Sequence, residues 1–147
     1  MNKAKIKNIL LGLTLLVLLP VGLFSHCEVP CGIYDDDLRI QLMKEHTGTV
    51  KKAIVNINTL SKDPSKNQNQ LVRWTVNKES HATEIQGIVS QYFLTQRIKS
   101  DAKGYEKKLA ALHSILVYAM KTKQGTDEAT ADKLLQAIEA FEKLYKG

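Results

Sequence analysis

Beyond Tyr34 the apolar residues return at intervals of three and four, a spacing that puts them on one face of a helix and on both faces of a strand. Over about 36–61, Met43, Val50, Ile54, Ile57 and Leu60 share one side. Over about 65–98 the stripe is Leu71, Trp74, His81, Ile85, Ile88 and Tyr92. A third segment, about 103–123, carries Tyr105, Leu109, Leu112, Leu116 and Met120. The last follows Thr126 and repeats Ala131, Leu134, Ile138, Phe141 and Tyr145. The β-branched run in "KKAIVNINTL" sits inside the first of these patterns, so it is no strand signal. The breaks are short and polar. Asp63-Pro64 in "KDPSKN" reads as a cap and first turn, and "SDAKG" separates the second and third helices. Gly125 is expected to close the third in a left-handed turn, with Thr126 capping the fourth. Asp35 to Asp37 read as a cap and first-turn acids that suit the helix dipole. Such helices are not stable singly in water. Four of them with short connections predict an all-α fold, an antiparallel four-helix bundle over residues 35–147.

The first 25 residues belong to another pattern. Lys3, Lys5 and Lys7 precede "ILLGLTLLVLL", an uncharged run from Ile9 to Leu19, and Pro20 and Gly22 then break the helix. These are the parts of an export signal. The run falls short of the ~20 apolar residues a membrane span needs, although counting on to Phe24 leaves an uncleaved anchor as an alternative. Ser25 offers a small residue for cleavage ahead of His26. A lipoprotein cut before Cys27 would want a small residue where bulky His26 stands. The expectation is a leader over 1–25, removed by a protease on the way to the periplasm or the exterior. Removal takes three lysines and no acid, so the charge excess falls from +6 to +3. With no arginine-rich or aromatic-interleaved stripe, nucleic-acid binding is not expected.

Both cysteines of the chain fall in "HCEVPCGIY", residues 26–34, directly after that leader. In an oxidising compartment two close cysteines commonly pair, but a loop this short gains little from closure. The alternative is a metal site. Cleavage after Ser25 would free the His26 α-amine, whose pKa near 7.7–8.0 leaves it available as a ligand. The Cys27 amide nitrogen and thiolate follow, and Pro30 and Gly32 favour a tight hook that returns the Cys31 thiolate. Two nitrogens and two sulfurs in a plane suit nickel(II) or copper(II), with the His26 imidazole as a fifth, axial donor.

The nine residues resemble the nickel hook of nickel-dependent superoxide dismutases, H-C-x-x-P-C-G-x-Y, at every fixed position. The resemblance extends more loosely through the helical body. It implies dismutation of superoxide to oxygen and hydrogen peroxide, one nickel ion per subunit, cycling between divalent and trivalent states. It assigns the metal to His26, Cys27 and Cys31, and it makes Tyr34 the catalytic tyrosine that controls small-anion access over the open face. It also implies a homohexamer and a leader-cleaving protease as partner. The family's surroundings of the hook transfer less completely: an arginine is replaced by His81, a glutamate by Gln41, and Lys-Pro after Tyr92-Phe93 by Leu94-Thr95. His81 therefore reads either as a hydrogen-bonded core histidine or as support for the axial imidazole. His46 and His113 read as surface or seam residues, and Lys51-Lys52 and Lys107-Lys108 as solvated faces. Two competing functions are an exported nickel- or copper-binding helical protein without catalysis, and a disulfide-bonded interaction module.

Overall fold

A computed structural model describes residues 35–147, which form four helices and, among the described residues, no strand. The expected leader, residues 1–25, and the hook, residues 26–34, lie outside the described residues. Helix α1 is Asp35–Leu60, α2 is Pro64–Gly87, α3 is Tyr105–Gln124 and α4 is Glu128–Lys146. Each helix packs on its sequence neighbours, and α4 closes the ring against α1. Short connections force successive helices to run antiparallel, as expected of a four-helix bundle.

α2 does not stop at Gly87. It continues as a π-helical segment, Ile88–Arg97, the part of the second predicted helix that its periodicity did not distinguish. Here bonds run to the fifth residue back: Ile98 N donates to Phe93 O at 3.0 Å, and the Thr95 hydroxyl to Ser90 O at 2.7 Å. The wider turn brings residues five apart onto one side. Tyr92 and Arg97 are such a pair.

The core runs the length of the bundle. Near its lower end Val50, Ile54, Ala82 and Ala131 pack together. The larger cluster fills the end where α1 begins and α4 finishes, joining Ile40 and Met43 to Ile85, Val89, Phe93, Leu112, Ile138 and Phe141. Phe93 is its hub, with edge-on contacts to Tyr92, Phe141 and Tyr145 at ring-centre distances of 5.3, 4.9 and 5.4 Å. Edge-to-face pairs of this kind add to what burial alone contributes.

The α4 stripe is buried as expected from Ala131 to Phe141, with Tyr145 partly covered. The α3 stripe is rotated from its expected position. Ile115, Ala119 and Thr122 join Leu112 inside, while Met120 is 42 % exposed. Three local expectations are corrected. Gly125 is extended (φ −152°), and the left-handed glycine is Gly104 (φ 74°), ahead of α3. Asp127, not Thr126, caps α4, its carboxylate accepting from Ala129 N at 3.2 Å and from the Thr130 hydroxyl at 2.9 Å. Asp63 precedes Pro64 at the start of α2 but makes no side-chain cap; its carboxylate takes the Ser65 hydroxyl and Lys66 instead.

The end of α3 is held from outside. The Lys78 ammonium, on α2 and 3 % exposed, donates to the carbonyls of Thr122 at 2.8 Å, Lys123 at 2.8 Å and Gly125 at 3.0 Å. These are carbonyls that a helix leaves without internal donors, and a cation is the favourable partner for them.

Candidate metal centre

His26, Cys27, Cys31 and Tyr34 all precede the described residues. At the start of α1, two residues after Tyr34, stands Asp36. Sequence alone gives it the role of a cap or first-turn acid that suits the helix dipole. It is 8 % exposed. One carboxylate oxygen accepts from Arg97 Nε at 3.0 Å, Arg97 Nη2 at 2.6 Å and the Tyr145 hydroxyl at 2.5 Å. The other accepts from the Tyr92 hydroxyl. Three segments thus converge on one side chain: the start of α1, the π-helical segment and the last turn of α4.

The π-helical register explains why both Tyr92 and Arg97 reach the same carboxylate. Arg39, one turn further along α1, stacks its guanidinium over the Tyr92 ring at 4.8 Å, and Arg97 lies 5.9 Å from the same ring centre. Lys146 adds a more exposed tie from α4 to Asp37 at 3.0 Å. Burial would raise the Asp36 carboxyl, but the hydrogen bonds from Arg97, Tyr145 and Tyr92 outweigh it and hold the group below the usual carboxylate range. Burial and the Asp36 contact push Tyr92 up to about 12, and raise Tyr145 for the same two reasons. Arg97 is raised by its hydrogen bonds to Asp36. The cluster is therefore one fixed carboxylate, one fixed guanidinium and two phenols that keep their protons.

Of the residues noted around the hook, Tyr92 and Phe93 are buried at this end, whereas Gln41 is exposed. His81 is half-buried and bonded to another histidine: its Nδ1 lies 2.7 Å from Nδ1 of His46. His81 is hydrogen-bonded as one of its two readings expects, but half-buried rather than in the core, with His46 its partner across α1 and α2. The other reading, support for the axial imidazole, involves residues outside those described. His113 is exposed. Among the described residues no three His, Cys, Asp or Glu side chains gather into a group able to hold a metal ion. The thiolates needed for a sulfur-rich site are all in the preceding segment, 27–31. That donor set, two sulfurs beside nitrogen donors, is one that suits nickel.

A protein-family model for nickel-containing superoxide dismutase matches residues 23–147, which takes in the whole hook and every helix of the bundle. The chain belongs to the nickel-containing superoxide dismutase family. It is accordingly an oxidoreductase with a nickel cofactor and superoxide as its substrate. No curated protein and no solved structure matches the chain in the corresponding comparisons. The family match is consistent with both halves of the sequence reading, the hook pattern and the helical body. The Asp36 cluster fixes the start of α1, two residues after the last residue of the hook pattern.

Proposed function

We propose that this superoxide dismutase holds one nickel ion per subunit through the His26 α-amine and imidazole, the Cys27 amide nitrogen and thiolate, and the Cys31 thiolate. Support comes from one observation above all: the match over 23–147 spans the nine residues in which every fixed position of the hook is present. When bound, nickel supplies one-electron chemistry, oxidising one superoxide to oxygen and reducing a second, which takes up two protons to leave as hydrogen peroxide. The residues of the chain make this possible in stages. Removal of residues 1–25 by an export-linked protease frees the His26 amine, which is neutral in a useful fraction near its pKa of about 7.7–8.0. The thiolates and the amide nitrogen are strong donors that favour the trivalent state. Pro30 and Gly32 turn the chain so that Cys31 returns toward Cys27. Tyr34 governs which small anions approach.

The Asp36 cluster serves this site by fixing the start of α1, so the hook leaves a rigid base rather than a fraying helix end. Sites built on rigid elements hold their geometry more closely than sites on free loops. The protein acts in the periplasm or outside the cell. Six copies form the working assembly, and Val72 and Val76, 63 % and 58 % exposed on α2, are apolar surface available to it. The test is direct. Protein beginning at His26 and loaded with nickel removes superoxide catalytically, and Cys27→Ser or Cys31→Ser abolishes both redox-active nickel and turnover. Stoichiometric nickel without turnover in the parent protein would instead identify a carrier.

A further inference from the structure

A histidine pair bridges the α1–α2 seam. His46 and His81 are both half-buried, and their Nδ1 atoms face each other at 2.7 Å, with ring centres 4.9 Å apart and ring planes tilted by 54°. His46 stands on α1 ten residues beyond Asp36, about 15 Å along the helix, and His81 faces it from α2.

We propose that His46 and His81 form a second metal site, one imidazole from α1 and one from α2, that takes a borderline divalent first-row cation such as zinc(II). Imidazole is a preferred donor for such ions. The spacing fits. Zinc–nitrogen bonds of about 2.05 Å at the tetrahedral angle set two nitrogens about 3.3 Å apart. Ring centres lying roughly 1.2 Å behind those nitrogens would then be about 5.2 Å apart. The observed centres are within about 0.3 Å of that separation. The rings need only pivot to open their nitrogens, and the helices keep their places. In the metal-free pair one Nδ1 donates its proton to the other; on binding, the donor ring takes its other neutral tautomer and both lone pairs turn to the ion.

The surroundings favour a cation. Glu45 adjoins His46, Glu84 lies one turn beyond His81, and both carboxylates act on the His46 ring. Burial, then the neighbouring His81, lower the pKa of His46 and keep it neutral, the form that ligates. Among the described residues no third ligating side chain completes the group, so with these two ligands water fills the remaining positions and the site binds reversibly. Its effect is to stitch α1 to α2 midway along the bundle.

Zinc(II) titration of the whole chain carrying Cys27→Ser and Cys31→Ser tests this without interference from thiolates. The C–H resonances of the His46 and His81 rings are expected to shift together and saturate, and the melting temperature to rise with zinc. His46→Gln and His81→Gln should each remove the joint shift and the rise in Tm while helicity is retained. Unmoved resonances at both rings on addition of zinc would overturn the proposal, as would a zinc-dependent rise in Tm that survives both glutamine variants. Because neither readout is superoxide removal, the outcome stands apart from that of the hook.

Discussion

Replacing Asp36 with alanine should weaken the bundle by about 3 kcal/mol, far more than loss of a surface acid would. Among the described residues the carboxylate accepts four hydrogen bonds from three side chains. Its removal strands the Arg97 guanidinium, whose side chain is 33 % exposed, and the hydroxyl of Tyr92, which is 2 % exposed. Breaking a buried ion pair by deleting one partner costs about 3–5 kcal/mol. Water reaching the open side of Arg97 offsets some of that, which places the expectation at the lower bound. Urea unfolding followed by far-ultraviolet circular dichroism measures it. The double variant Asp36→Ala, Arg97→Met should recover much of the loss, since the unpaired charge is then gone as well. A loss below about 1 kcal/mol for the single variant, or no recovery in the double, would refute the claim that Asp36 ties three segments together. Because the Asp36 carboxyl is held below its unfolded value, its contribution is fully present above about pH 4 and disappears as the pH falls further.

Other outcomes follow from the same structure. Lys78→Met leaves three carbonyls at the end of α3 without their donor and should cost about 2 kcal/mol in the same unfolding assay. His46 is held below its ordinary value, so the unfolded chain takes up a proton first: stability should decline as the pH drops below about 6.5, with a shallower slope in His46→Gln. Tyr34→Phe should retain nickel but change inhibition by azide or peroxide, and unchanged kinetics under both would argue against a role in anion access.

Local periodicity was enough for the helices, because each apolar stripe is written in residues three or four apart. The α4 seam from Ala131 to Phe141 was legible in full. The α3 stripe was misplaced because Leu109, Leu116 and Met120 are as apolar as the residues inside; only packing against α2 and α4 selects Leu112, Ile115 and Ala119. Polar partners separated widely in sequence left no such trace. Asp36 meets Arg97 and Tyr145 across 61 and 109 residues, so local sequence shows only an acid at a helix start. Lys78 resembles any helical lysine until α3 ends beside it. The pairing of His46 with His81 likewise depends on the α1–α2 register. One signal was available in principle: His46 lies one turn before Val50, which packs with Ala82 of α2. The hook was legible for the opposite reason, since its donors are contiguous in the sequence.

Superoxide removal by nickel-loaded protein that starts at His26, compared with protein carrying one extra residue ahead of it, tests the central claim most directly. An extension converts the amine into an amide and displaces a ligand, so it should abolish turnover while leaving the helical bundle intact. Equal rates from the two proteins would contradict a site built on a freed histidine terminus.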